Sequence, residues 1–309
     1  MSKKLRVVLS GIYYPLAMLR YFEAAFKRRD DVELITLGPY TGTWIPWAGG
    51  MDVMMKYANP PTCALPKDFI RHGVMNIDVL NAFSNLNDID LWIQADAGWR
   101  FDKRPNATVV AHLQTDPHVL GDQYRLPRTY SDIVFNMQKS YSEPDDKYIP
   151  YAIDPIWHSP MDGVEKEHAS CLIGLHYDNR NKLVQRLRSK GLDVYYDIGP
   201  IYDEYREIYA RSKTAINWSS KDDLIARVFE TMGFNVPLIT NRVTDLPTHF
   251  VEGEHYLGFD DMNEAEEKVV WALENYDKAM EIADNAHRKV FAQHTYDMRV
   301  SDMLRWAGF

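Results

Sequence analysis

Cysteine is scarce in this chain: only Cys63 and Cys171 occur in 309 residues, far apart and in no CxxC pattern. That excludes a disulfide framework and removes the basis for a cysteine-bound zinc site, so a reducing, cytoplasmic setting is expected. No run approaches the ~18 apolar residues of a membrane span. The opening Met1-Ser-Lys-Lys-Leu-Arg-Val-Val-Leu-Ser-Gly11 joins basic residues to an apolar run too short for a signal peptide, and reads as a first buried strand. An excess of positive charge is also missing. Against 35 Lys and Arg stand 44 Asp and Glu, a net charge of −9. This argues against a general nucleic-acid binder, although a local basic groove fits inside an acidic total. No GxGxxG follows the first strand, so the dinucleotide fingerprint is absent. Asp88-Ile89-Asp90 precedes a strand, the wrong place for a metal-binding carboxylate pair, and no metal site is expected. Internal repeats and low-complexity tracts are absent too.

What is present is an ordinary globular composition, 46% hydrophobic and 26% charged, in a chain long enough for two domains. Leu5–Ser10 reads as a buried strand, Tyr14–Arg29 as an amphipathic helix, and Val32–Leu37 as a second strand. This is a βαβ opening, the start of a doubly wound α/β sheet. Residues 38–66 form a loop rich in Gly, Pro and aromatics, and loops of this length are usually functional or disordered. Tyr40, Trp44 and Trp47 offer faces for a sugar or a base; packing down onto the domain accounts for them equally well. Val74–Leu80 reads as a short helix. Further strands are expected at 90–95, 108–113, 133–136 and 147–150. Two of them end in acidic tips, Asp96 and Asp116, with His112 and His118 beside the second. Strand carboxyl ends converge on ligand crevices in open α/β sheets, which makes these tips candidates for a general base or for acceptor binding. Asp116, before Pro117, serves equally as a turn-former.

In the second half, the strand Ala169–Gly174 leads into His176-Tyr-Asp-Asn-Arg180-Asn-Lys182 and a helix over 183–190. Basic side chains at a strand-to-helix turn make an anion site, since the helix N–H groups lie beside them. Later comes Lys221-Asp-Asp-Leu-Ile-Ala-Arg-Val-Phe-Glu230, continuing to Thr240. Leu224, Ile225, Val228 and Phe229 recur at helical spacing, Asp222 or Asp223 is placed to cap the helix, and Val236–Thr240 reads as a strand. Arg227 and Glu230, three apart, share one face; a solvated surface pair is the plain alternative. The chain closes with a helix over 264–275 and a long helix from Asp277 through His294-Thr-Tyr-Asp-Met-Arg299.

The stretch Arg227-x-Phe-Glu230-x-Met-Gly-x-x-x-Pro-Leu-Ile-Thr240 resembles the nucleotide-sugar site of GT-B glycosyltransferases of the CgeB-like, glycosyl transferases group 1 type. Tyr148-Ile-Pro-Tyr-Ala-Ile-Asp-Pro-Ile-Trp-His-Ser-Pro160 resembles the linker of these enzymes, and His294-Thr-Tyr-x-x-Arg299 their closing helix. The resemblance implies two doubly wound Rossmann-like domains facing each other across a cleft. An acceptor-binding domain is expected over 1–155, a nucleotide-sugar-binding domain over 156–290, and a helix over 291–309 that returns to the first. It implies donor binding by Arg180, Lys182, Tyr202, Asn217, Asp222, Arg227 and Glu230, with Glu230 on the ribose. Asp222 stands where the family usually has Glu. For catalysis the candidates are Asp116, His112 and Arg227; for the acceptor, Trp44, Trp47, Asp96 and His118.

The activity expected is metal-independent transfer from a nucleoside-diphosphate sugar, a UDP-sugar above all, with no further cofactor. The partner is a hydroxyl acceptor: a saccharide, a protein or a modified DNA base. A viral-type enzyme acting on hydroxymethylated DNA would use the basics Arg100, Lys103, Arg104, Arg125 and Arg128. A non-catalytic nucleotide-sugar-binding protein on the same fold is the third reading. Oligomeric state is open.

Overall fold

The computed structural model describes residues 3–39, 59–65, 73–83 and 86–309. Trp44, Trp47 and Tyr40 lie outside the described residues. The chain divides into two compact units: one runs to Pro150 and takes back Tyr296–Phe309, and the other includes Tyr151–Thr295. Both are built on parallel sheets with helices, as expected of two Rossmann-like domains.

The first unit holds a seven-stranded sheet of β1 (Leu5–Ser10), β2 (Val32–Gly38), β3 (Cys63–Ala64), β5 (Leu91–Ala95), β7 (Val109–Gln114), β8 (Ile133–Asn136) and β9 (Lys147–Tyr148). Their spatial order is β3-β2-β1-β5-β7-β8-β9, and every described pairing is parallel. Parallel strands are covered on both faces, which is why β1, β5 and β7 read as near-continuous apolar runs. Val8, Trp92 and Val110 from these strands pack with Leu80 and Phe101 into one core.

Two expectations fail here for local reasons. The helix expected from Tyr14 begins at Leu19, as α1 (Leu19–Lys27), and turns occupy the residues just before it. The helix expected over 74–80 is a short strand, β4 (Gly73–Met75), followed by α2 (Ile77–Phe83). Asn76 separates them: its side-chain oxygen accepts from Asp78 N at 2.9 Å and Val79 N at 3.1 Å, an N-cap that forces the helix to start after it. β4 pairs with β6 (Trp99–Phe101), a strand the alternation pattern did not reveal. Also unforeseen is α3 (Pro117–Tyr130), because Gly121 and Pro127 read as breakers; the helix kinks at Leu120 and keeps Pro127 near its end.

The second unit has a five-stranded parallel sheet, order β11-β10-β12-β13-β14, from β10 (His168–Ile173), β11 (Val194–Asp197), β12 (Ser212–Asn217), β13 (Leu238–Asn241) and β14 (Leu257–Phe259). Five helices accompany it: α4 (Asp178–Ser189), α5 (Asp203–Arg211), α6 (Ala226–Gly233), α7 (Met262–Glu274) and α8 (Tyr276–Gln293). Leu172, Ile216 and Ile239 pack with Leu183, Val269 and Phe259 as its core. β14 falls in a stretch that reads as loop because the strand has only three residues. The single closing helix expected from Asp277 is two, α8 and α9 (Tyr296–Trp306), parted at His294-Thr295. Within the first unit α9 packs on α1. Tyr296 stacks on Tyr21 at 5.3 Å and meets the edge of Phe22 at 5.0 Å, and Arg28 pairs with Asp297.

Candidate functional site

In the second unit the carboxyl end of β10 runs into Gly174, whose φ of +152° suits glycine. A Cβ there would stand 2.6 Å from Arg227 Nη2 and 3.1 Å from Arg180 Nη1, so both guanidiniums close on the same point of backbone. Their fixations differ. Arg180, on α4, is 4% exposed. Its Nε and Nη2 donate to Trp218 O at 2.8 and 2.5 Å, its Nη1 to Leu175 O at 3.0 Å, and it lies over the Tyr177 ring. Burial, and then the neighbouring Arg227, hold its pKa down to about 10. Arg227, on α6, donates from Nη1 to Asn217 Oδ1 at 3.1 Å; among the described residues its other donors have no hydrogen-bond acceptor. Asn217 is itself aimed by Thr240, which accepts from its Nδ2 at 3.0 Å. Two cations held side by side repel, and a bound anion relieves that repulsion.

One turn along α6, Glu230 is buried. Tyr205 Oη on α5 donates to its Oε2 at 2.8 Å. His158 turns towards the other oxygen: Asp154 N donates to His158 Nδ1 at 2.8 Å, which leaves the proton on Nε2, 3.7 Å from Glu230 Oε1. Burial lowers the His158 pKa, against the pull of Glu230, so the ring is a neutral neighbour. The carboxylate is thereby oriented by one strong bond and keeps acceptor capacity.

In the first unit the tips of β5 and β7 are tied together by Tyr124 on α3. Its hydroxyl donates to Asp96 Oδ1 at 2.6 Å and accepts from Asp116 N at 3.1 Å. Asp96 has φ +64°, a left-handed conformation uncommon outside glycine, and its Oδ1 also accepts from Ala97 N at 2.7 Å. Asp116 is the residue before the Pro117 start of α3; its carboxylate accepts from Thr115 Oγ1 at 3.1 Å and makes no capping bond. Asp96 and Thr115 line a cavity of about 150 Å³; Asp116 is not in its wall. Burial raises the Tyr14 phenol pKa, and Asp96 and Asp116 raise it further, so the Tyr14 hydroxyl stays protonated beside them.

Residues 171–305 match the sequence family described as "Glycosyl transferase-like". They are a glycosyl transferase-like domain. No curated protein matches the chain. Among solved structures it is similar to the sucrose-phosphate synthase of Thermosynechococcus elongatus, with 12% identity, 98% of each chain covered and a TM-score of 0.64. It is also similar to HepE of Anabaena in complex with UDP-glucose, at 10% identity over 97% of this chain and 99% of that one, TM-score 0.63. An alpha-glucosyltransferase bound to UDP-glucose and DNA shares 9% identity over 99% and 100% of the two chains, TM-score 0.64. Over the whole chain these likenesses show a shared fold.

Within this matched stretch the structure brings Arg180, Asn217 and Arg227 together and sets Glu230 on the same helix as Arg227. It does not bring in Lys182 or Asp222. Lys182 lies on the exposed face of α4, paired with Asp178 at 2.6 Å. Both oxygens of Asp222 are engaged by Thr244, whose N donates at 2.7 Å and Oγ1 at 2.5 Å, so this carboxylate ties two loops. Neither Asp222 nor Asp223 caps the helix, since Ile225 precedes α6 without a side-chain cap. Tyr202 precedes α5 with φ +49° and its ring packs against Trp157 at 4.6 Å.

His112 cannot be the base proposed for it. It is fully buried on β7, donating from Nε2 to Asp96 O and accepting at Nδ1 from Gln114, both at 3.4 Å. Burial depresses its pKa to about 3, the opposite of what a base near neutrality needs. His118 sits on the first turn of α3 against Tyr141, in an open groove with Arg125 and Glu143. The residues that orient the site, Tyr205, His158, Thr240 and Tyr124, escaped sequence reading. Each acts from another segment, and no spacing along the chain signals that.

Proposed function

We propose that this protein is a glycosyltransferase that moves a sugar from a UDP-sugar to an acceptor hydroxyl, with side-chain cations in place of a metal. The observation that carries this is the convergence of Arg227 and Arg180 at Gly174. As the bond between the sugar and the diphosphate breaks, negative charge grows on the leaving oxygens. Preorganised cations aimed at growing charge stabilise the transition state more than the ground state. Arg180, tied to backbone carbonyls, supplies a fixed field. Arg227 has donors left for the phosphates. Glu230, oriented by Tyr205, accepts from the donor's ribose hydroxyls. The UDP-glucose bound by HepE and by the alpha-glucosyltransferase supports uridine as the base.

The first unit, residues 1–155 in the sequence reading, takes the acceptor, and 156–290 the donor. The acceptor is a saccharide, another hydroxyl compound or a protein side chain. A DNA acceptor is the weaker reading. The basics it needs are engaged: Lys103 with Asp78, Arg104 with Asp132, Arg125 with Asp122, Arg128 with Glu143 and Asp146, and Arg100 with Ala97 O and Gln123. The arginine pair at Gly174 favours catalysis over a binding-only module. No helix among the described residues is long and apolar enough to cross a membrane, and a cytoplasmic site of action is part of the proposal.

The test is a thermal-shift panel of nucleotide sugars in EDTA, followed by a donor-hydrolysis assay. A ligand that binds only the folded state raises the melting temperature, by an amount set by its concentration relative to Kd. UDP-sugars should stabilise the protein and turn over with the rate unchanged by EDTA. Activity that collapses in EDTA and returns with magnesium would overturn the metal-free mechanism.

A further inference from the structure

The cavity at the strand tips of the first unit is built for a particular kind of molecule. Ile12, Leu19, Ala95 and Leu120 give it apolar walls, and Asp96 and Thr115 are among the few polar groups that reach it. Its volume of about 150 Å³ matches that of apolar cavities known to take a benzene-sized ring. Asp96 is the unusual member. Its backbone is in the left-handed region at φ +64°, and its Oδ1 is pinned by Ala97 N and Tyr124 Oη. Among the described residues Oδ2 takes no hydrogen bond. Asp tolerates this backbone conformation, and it is the carboxylate oxygen left open beside a cavity that points to a ligand. Asp116, the sequence's first choice, lies outside the cavity wall and its carboxylate is already bonded to Thr115.

We propose that this cavity binds a small uncharged alcohol with an apolar ring face, whose hydroxyl donates to Asp96 Oδ2. The proposal rests on the transfer reading above, of which it names the acceptor class. The apolar walls offer nothing to an anion, and Asp96 repels one. A sugar phosphate or a DNA backbone is therefore disfavoured. A ring alcohol satisfies both halves of the site: burial of the ring and a charge-assisted hydrogen bond from the hydroxyl.

Asp96→Asn is the discriminating variant. Asparagine tolerates the left-handed conformation, and its side-chain oxygen can keep both bonds from Ala97 and Tyr124, so only Oδ2 changes, from an acceptor into a donor. Leu120→Trp, at a half-buried position, fills the space instead. Binding of phenol and of toluene to the full chain is measured by titration NMR, with UDP-dependent thermal stabilisation as the check on folding.

The wild type should bind phenol about tenfold more tightly than toluene, the ratio expected for one charge-assisted hydrogen bond. Asp96→Asn should erase that preference, and Leu120→Trp should weaken both ligands, while UDP stabilises both variants as it does the wild type. Equal binding of phenol and toluene by the wild type, or phenol binding untouched by Leu120→Trp, overturns the assignment. If UDP fails to stabilise the wild type while the phenol preference and its loss in Asp96→Asn hold, the transfer reading fails and the alcohol site stands.

Discussion

The two sheets end in sites of opposite sign. In the second unit the strand ends present two guanidiniums, closely held and repelling each other, beside a backbone that only glycine keeps clear. In the first they carry two aspartates, Asp96 held through its carboxylate and Asp116 through its backbone N–H by the Tyr124 hydroxyl, and Asp96 lines an apolar cavity. The backbone device is the same in both, a parallel sheet whose carboxyl ends leave room for a ligand. The side chains decide the ligand: a cationic end suits a diphosphate, and an anionic, apolar end suits a neutral hydroxyl compound. Fold similarity at about 10% identity transmits the device and not the choice.

The comparison breaks most sharply at Arg227. Replacing it with Ala leaves the fixed cation Arg180 but removes the one with donors to spare. Turnover should fall by about 10²–10³-fold, the cost of losing one preorganised donor, with a much smaller change in the Michaelis constant. Steady-state assay of UDP release measures it. A variant with normal turnover and only a raised Michaelis constant would show that Arg227 binds the ground state and transition state alike.

Glu230 sharpens the same side. Glu230→Gln keeps the bond from Tyr205 but loses the charge, and donor affinity should drop about tenfold, one charge-assisted bond's worth. Asp222→Asn is its control. Because Thr244 already engages both Asp222 oxygens, that change should lower the melting temperature by a few degrees and leave donor affinity within about twofold. Calorimetric titration with UDP distinguishes the two; equal losses would return Asp222 to the donor site.

The smallest effect expected is on stability and belongs to the first unit. His112 titrates near 3 in the folded protein against an ordinary 6.5. Between those values the unfolded chain binds a proton that the fold refuses, so stability is full above pH 6.5 and lost as pH falls towards 3. Buried His158 and His255, also lowered, push in the same direction. His112→Asn should make the decline in melting temperature between pH 6 and pH 4 shallower. An unchanged slope would mean that other groups dominate.

By itself the sequence determined the strand runs, because strands covered on both faces must be continuously apolar, and those at 5–10, 91–95 and 133–136 stand where the pattern put them or within a residue. It also located Arg227 and Glu230 on one helix, since helical spacing is a local property. The short strands at 99–101 and 257–259 and the helix at 117–130 were not legible: three residues carry too little period, and Gly121 and Pro127 mimic loop chemistry. Only the tertiary structure decided which polar residues are available. His112 and Asp222 have the right chemistry in the right stretches, yet burial silences one and Thr244 occupies the other. Among the described residues Asp96 and Arg227 keep open valence, with bonds from Tyr124 and to Asn217, 28 and 10 residues away, fixing how each is held. Hydrogen-bond saturation is set by neighbours in space, and no residue's own position in the chain records it.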